Sequence, residues 1–264
     1  GDFYLAMTDL HVYGRRAGFR TTQWERDGDK YGWGNNRGLV LMKSHDLINW
    51  TRTNIDFTTL GVVDGIDWGE MGCAWAPETV WDYEKGNLLV HFTTRFGNAP
   101  NQIYYIYMND DFTEMLSTPK LLFEAPGKKY NVIDSDIIKV GDTYHLFFVS
   151  HEHSATPRHA YSKNITGPYT IDDTYHDGER QGHEAPNCWK RIGEEKYVVM
   201  FDNFNRHPMN FGFMETTDFF TYHSLGYFGE GKMQRSGFEE QKHGAVIWLT
   251  KKEVKKLLKA YPSK

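Results

Sequence analysis

The sequence predicts an all-β chain: a five-bladed β-propeller, present as about four blades plus the inner strand of a fifth, with a short C-terminal helix. Three observations predict it. Short segments rich in β-branched and aromatic residues recur between Gly-, Asn- and Asp-rich turns. One polar turn design follows the strands in three places. A further apolar segment with a polar or acidic residue at its start recurs at about blade spacing.

The first strand of each repeat falls at 3–7, 88–92, 144–149 and 197–201, and a second at the head of 38–50, 102–115, 159–169 and 210–222. The second strands run into Ser44-His45-Asp46-Leu47, Asn109-Asp110-Asp111-Phe112 and Thr216-Thr217-Asp218-Phe219. There a short polar side chain accepts from following backbone N–H groups while the next apolar residue packs back on the sheet. Asp46, Asp111 and Asp218 are therefore turn residues, not catalysts. The third element falls at 76–82, 132–140, 184–192 and 243–250, with 50 residues from Asp134 to Glu184 and 59 from Glu184 to His243. Repetition of one turn with one kind of polar start favours a propeller over a sandwich. At the C-terminus, Thr250 as N-cap, Glu253 at N3 and a Val254, Leu257, Leu258, Tyr261 stripe predict a helix lying against the last blade.

With the third element taken as the innermost strand of each blade, residue 3 opens on the strand that should follow it, and 243–250 is an inner strand without partners after it. Propellers close by pairing strands from both chain ends, because an open edge leaves backbone groups unpaired. The expectation is a single propeller domain over 1–264 whose missing strands lie upstream of Gly1. The absence of an initiator Met agrees with a chain cut from something longer. A long Arg-, Trp- and Gly-rich loop at about 11–36 is of the kind that serves a site.

A chain of 264 residues can bury a large core without a metal or disulfide. The aromatic fraction of 16% is a heavy load; most of these rings fill the sheet core, while Trp and Tyr on polar, Gly-rich loops suit sugar faces. A net charge of −5 gives no footprint for a polyanion, so nucleic acid is not the expected partner. No run approaches the roughly 18 apolar residues of a membrane span. Cys73 and Cys188 are too few for a disulfide framework. The sequons at Asn49 and Asn164 are short enough to arise by chance.

The chemistry-bearing candidates sit at the starts of the third elements. Glu184 stands between His183 and Ala-Pro, and Asp134 is assigned the equivalent place one blade earlier. Two carboxylates at one level of adjacent blades suit a general acid whose pKa is raised by a like charge. The competing reading is that such residues only cap strand ends or bond backbone. Asp136 faces the same way as Asp134; it is either the partner carboxylate or a tie to the neighbouring strand. Glu78 holds a similar position and is read as structural or substrate-positioning, with Trp75 as a sugar platform or a ring buried between blades.

WAPE at 75–78, Ile133-Asp134 with GDTYHLFF at 141–148, and HEAPN at 183–187 together resemble glycoside hydrolase family 43. The resemblance spans essentially the whole chain. It implies a five-bladed propeller that hydrolyses arabinose- and xylose-containing plant cell-wall polysaccharides with inversion. It implies Glu184 as general acid and Asp134 as the residue that tunes its pKa and orientation. The general base of the family belongs to an Arg-Asp-Pro-like segment with no match in this sequence, and it is expected upstream of Gly1; Asp2 and Asp9 are not assigned. His243 in KHG matches a residue that contacts a channel calcium or its waters. No cofactor is otherwise required, and because calcium prefers oxygen ligands, His243 is read either as a satisfied channel histidine or as a minor, water-mediated calcium contact. Arg206 fits a substrate-binding arginine by position, and His183 flanks the acid.

Asp64, Asp67 and Glu70 read as a solvated loop. His145, His151, His153 and His159 lack a recognisable metal spacing; His151 and His153 are expected at a pocket rim where they bond sugar hydroxyls. GYFGEG at 226–231 lacks the setting of a phosphate loop, and no G-x-S-x-G elbow occurs. The implied protein is a secreted or periplasmic, exo-acting or side-chain-removing glycosidase, an arabinofuranosidase or xylosidase. The alternative is a non-catalytic carbohydrate-binding propeller.

Overall fold

The structure, a computed structural model, describes residues 1–10, 26–172, 182–206, 210–234 and 242–262. Its strands form the predicted all-β pattern. β1 (Phe3–Thr8), β2 (Gly38–Ser44) and β3 (Thr51–Asp56) make a three-stranded sheet, preceded in its β1–β2 connection by a short helix, α1 (Gly28–Tyr31). β4 (Val62–Val63) and β5 (Ile66–Asp67) pair as a small ribbon. Three four-stranded sheets follow, each in sequential order. They are β6 (Trp75–Asp82), β7 (Asn87–Thr94), β8 (Gln102–Met108) and β9 (Lys120–Phe123); β10 (Val132–Val140), β11 (Thr143–Ser150), β12 (Thr156–Ser162) and β13 (Thr170–Asp172); and β14 (His183–Lys190), β15 (Tyr197–Asn203), β16 (Asn210–Thr216) and β17 (His223–Tyr227). Helix α2 (Lys251–Ala260) ends the chain. These are the blades of a propeller with a partial fifth.

Two compact units make up the chain. One comprises Gly1–Gly97, Tyr105–Lys120 and Ile247–Lys264, the other Asn98–Tyr104 and Leu121–Val246. In the first, Phe57 stacks on Phe92 with centroids 4.5 Å apart, and Trp68 meets Phe96 edge-on at 5.2 Å. In the second, β15 is apolar on both faces. Tyr197, Val199 and Phe201 join Phe147, Met214 and Phe219, while Val198 and Met200 join Phe211, Phe213 and Leu225. Alternation sends successive side chains to opposite faces, so a strand covered on both sides is continuously apolar.

Two of the predicted turns form as expected. The Asp46 carboxylate accepts from the N–H groups of Ile48 and Asn49, and Asp218 accepts from Phe220 and Thr221. At the third, the acceptor is Asn109, bonded by Thr113 and Glu114, while Asp111 projects outward with its side chain 83% exposed. Leu47, Phe112 and Phe219 close the three turns with φ of 63°, 61° and 65°. These are left-handed conformations that a non-glycine residue adopts only when its surroundings hold it there.

Two expectations need correction. Residues 243–250 carry no strand pairing; their backbone bonds to side chains instead, His243 N–H to Asp202 and Val246 N–H to Asn187. Helix α2 has the predicted capping box at Thr250 and Glu253, but it buries none of its residues, and Leu258 and Tyr261 remain exposed. Of the long loop at 11–36, residues 11–25 lie outside the described ones. Its end, 26–36, clamps the segment before β6: Asn36 bonds both the N–H and the carbonyl of Ala74, and Arg26 donates to the Gly69 and Met71 carbonyls.

Candidate active site

The first strand of each four-stranded sheet carries the same irregularity. The register shifts between Trp75 and Glu78 in β6, between Ile133 and Asp136 in β10, and between Glu184 and Asn187 in β14. Within each bulge one non-glycine residue takes a positive φ: Ala76 at 44°, Asp134 at 51° and Ala185 at 53°. A bulge leaves its extra residue outside the ladder and re-aims the strand, so Pro77 and Pro186 fit there without costing a ladder bond. The counterpart of Asp134 is therefore Ala185, not Glu184, and the counterpart of Glu78 is Asp136. This corrects the equivalence read from the sequence. The two carboxylates are one residue out of step.

That offset joins them. The Ala185 N–H donates to Asp134 Oδ2 at 3.2 Å, fixing the peptide directly after Glu184. The Cys188 N–H, three residues beyond Ala185, donates to Asp136 Oδ2 at 2.6 Å. Asp136 is buried and its bond ties β10 to β14, the structural one of its two readings. Burial pushes the Asp134 carboxyl up to about 7, and the charge of Glu184 adds to this against the Ala185 hydrogen bond. Burial likewise raises Asp136 to about 7.

Three further residues belong to this cluster. Asp202, opposite Glu184 in the β14–β15 register, is 1% exposed. Its Oδ2 accepts the His243 N–H at 3.1 Å, and its buried Oδ1 has no hydrogen-bond partner. Burial raises its carboxyl to about 6, opposed by the Lys242 ammonium. Lys242 Nζ lies 3.0 Å from Glu184 Oε2, with its side chain 49% exposed. Burial opposes the Lys242 charge, but Glu184, Asp202 and Asp134 outweigh it and the ammonium is held above its usual range. His151 has a buried Nε2 without a hydrogen-bond partner; burial pushes its ring down while the Glu184 charge pulls it up.

Neither Asp202 nor Lys242 was identified from the sequence as part of the site, whereas His151 was expected at a pocket rim. Asp202 did leave a signal, a carboxylate inside the apolar run YVVMFDN, where a buried charge needs a reason. Lys242 gave none beyond standing next to His243.

The structure places the remaining predicted residues as follows. His243 Nδ1 is 3.9 Å from Asp134 Oδ2, and burial lowers its pKa. His183 is fully buried, its Nε2 3.0 Å from Asn203 Nδ2 and 3.4 Å from the Tyr227 hydroxyl, its ring against Phe201 at 4.4 Å. Enclosed this way, it positions the start of β14 instead of meeting a ligand. Arg206 pairs with Glu230 at 3.0 Å and lies 4.0 Å over the Tyr227 ring. His153 is exposed in the turn after β11.

In the other unit, Trp75 is half-buried, its Nε1–H donating to the Gly34 carbonyl at 2.7 Å. Trp33 stands edge-on at 6.1 Å, and the Arg95 guanidinium lies 4.8 Å from the Trp75 ring. Glu78 is opposite His91 on β7. Asp9, left unassigned from the sequence, is buried and accepts from Asn54 Nδ2 at 3.2 Å. Among the described residues no three metal-ligating side chains converge, and no helix is long and apolar enough to cross a membrane.

Comparison with known proteins agrees with the residue pattern. An α-L-arabinofuranosidase of Bifidobacterium longum subsp. longum is 29% identical over 168 residues, covering 55% of this chain; the chain spans only 13% of that protein's length. A thermostable family-43 glycoside hydrolase shares the fold with a TM-score of 0.57 at 17% identity, covering 80% of this chain and 72% of its own. An exo-β-1,3-galactanase from Clostridium thermocellum also scores 0.57 at 13% identity, covering 79% of this chain and 45% of its own. The sequence model of the family described as "Probable glycosyl hydrolase domain", related to glycoside hydrolase family 43, matches residues 1–255. The chain belongs to this family.

Proposed function

We propose that the domain is an inverting glycoside hydrolase cleaving arabinofuranosyl or xylosyl linkages in plant cell-wall polysaccharide. One observation carries the assignment of roles. A buried carboxyl whose pKa is pushed to about 7, Asp134, binds the peptide N–H next to a second, more accessible carboxyl, Glu184. Holding the peptide that leaves Glu184 gives Asp134 an auxiliary, positioning role, and the greater accessibility of Glu184 makes it the carboxyl that meets the glycosidic oxygen. Glu184 donates its proton to the glycosidic oxygen as the bond to the anomeric carbon breaks. Asp134 holds the Glu184–Ala185 peptide and thereby orients the acid. The Lys242 ammonium occupies the Glu184 oxygen in the resting protein, and substrate binding has to displace it. The base that activates water is a residue outside this pair, and no residue of this chain is assigned to it. Trp75, Glu78, His153 and Arg206 are proposed as substrate contacts, and secretion or a periplasmic location as the setting.

Calcium is proposed only as a water-mediated ligand. His243 is a poor direct ligand, whereas the unpartnered Asp202 Oδ1 is an oxygen of the kind a hard cation takes. No step of the reaction is routed through the metal.

The Glu184–Lys242 pair also suits the rival reading, a carbohydrate-binding propeller without turnover. Incubation with aryl α-L-arabinofuranosides and β-D-xylosides, followed by proton NMR of the nascent sugar, separates the two. Release of a sugar with inverted anomeric configuration supports the hydrolase. Retention of configuration overturns the mechanism, and tight binding without release supports the rival.

A further inference from the structure

At the opposite end of the blade from Asp134, a chain of buried polar groups opens on a cavity. Asp172 on β13, His159 on β12 and His145 on β11 lie in line. His159 Nδ1 is 3.2 Å from Asp172 Oδ2, and His145 Nδ1 is 2.9 Å from His159 Nε2. All three are buried, and His145 stacks on Phe219 with ring centroids 3.8 Å apart. His145 pairs with Ile138 on β10, four residues beyond Asp134, or about 13 Å along a strand.

The protons in this chain are determined by its end. A carboxylate only accepts, so His159 Nδ1 carries the hydrogen. Burial lowers the pKa of His159 despite Asp172, so the ring is neutral and its Nε2 is a bare acceptor. His145 must then donate from Nδ1. Burial pushes its pKa down to about 3, so it too is neutral and its Nε2 presents a lone pair. The cavity, about 390 Å³, is lined by His145 together with Thr143, Tyr161, Lys163, Thr170 and Phe220. That volume is at the small end of the ~300–1,000 Å³ of small-molecule sites.

The lining sets the ligand chemistry. A bare imidazole nitrogen calls for a hydroxyl or N–H donor and repels an anion that has none. Lys163 Nζ bonds Thr143 Oγ1 at 3.0 Å and keeps N–H groups for an acceptor oxygen. Phe220, 49% exposed and edge-on to Tyr161 at 6.1 Å, offers a flat apolar wall. Donor hydroxyls, acceptor oxygens and an apolar C–H face on one small rigid body describe a sugar ring. We propose that this cavity is a second saccharide-binding site, in which His145 Nε2 accepts from a sugar hydroxyl and Phe220 carries the apolar face of the ring. It uses no residue of the proposed reaction and does not depend on the role of Glu184.

The test is an NMR titration of histidine-labelled protein carrying Glu184→Gln to suppress turnover, with xylotriose, arabinotriose and β-1,3-galactotriose as separate probes. The site predicts that at least one probe at millimolar concentration shifts the His145 ring resonances. Phe220→Ala, a surface change that leaves the fold intact, should weaken that response at least about tenfold. The same Phe220→Ala change in the otherwise unaltered protein should leave hydrolysis of small aryl glycosides unchanged. A His145 resonance unmoved by all three probes, or a shift that survives Phe220→Ala, overturns the proposal. Loss of aryl glycoside hydrolysis on Phe220→Ala also overturns it, because the cavity would then not be separate from the reaction.

Discussion

Asp134 and Ala185 are joined by a hydrogen bond of 3.2 Å, from the Ala185 N–H to Asp134 Oδ2. Both residues occupy the positive-φ position of their own bulges. The bond therefore links the irregular points of two successive sheets, and the peptide it holds is the one leaving Glu184. Glu184, the proposed acid, is held through its backbone by a carboxyl that is itself buried.

The first prediction concerns Asp134 and pH. Its folded-state pKa of about 7, against an ordinary 3.8, means that the folded protein binds more protons between those values. Stability therefore falls as pH rises through that window. Asp134→Asn keeps an acceptor for Ala185 and removes the titration. Urea denaturation should show the variant gaining on the parent by about 1–3 kcal/mol at pH 8 and little at pH 4. The pH profile of activity should also change, because the variant no longer titrates at this position.

Lys242 bears on Glu184 directly. Lys242→Met removes the ammonium 3.0 Å from Glu184, which makes the acid easier to keep protonated. The expected outcome is a basic limb displaced upward in kcat/KM, read from initial rates across pH. An unchanged limb would show that the pair is broken throughout catalysis.

Asp202 is expected to matter for structure before chemistry. Asp202→Ala leaves the His243 N–H without its acceptor, and an unmet buried donor costs about 1–3 kcal/mol. Thermal unfolding should register the loss, and Asp202→Asn should restore most of it.

Calcium, if it binds through water at His243 and Asp202, stabilises the folded form alone and raises Tm with concentration. The rise should vanish in Asp202→Asn and on chelation. A Tm indifferent to calcium in the parent protein removes the metal from the account.

Much of the fold was legible because local signals agreed. Asp46 and Asp218 at polar turns, the apolar strands between them and the Thr250–Glu253 cap all report on neighbours within a few residues. The family motifs also marked Asp134 and Glu184. The one-residue offset between them was not legible, because a bulge is a property of the pairing and both segments look alike as strings. Asp202 and Lys242 reach Glu184 across a strand pair and from 58 residues downstream, and no periodicity records such contacts. The strand expected at 243–250 failed for a related reason. Apolar alternation marks a segment fit for a ladder, but a strand needs a neighbour, and here side chains of Asn187 and Asp202 take the backbone donors.

Proton donation from the side chain of residue 184 is tested most directly by comparing Glu184→Gln with the parent on two aryl glycosides, one with a good leaving group and one with a poor one. A leaving group that departs unaided needs no acid, so the loss should be slight on the activated substrate and about 10²–10⁴-fold on the poor one. Equal losses on both would contradict the assignment.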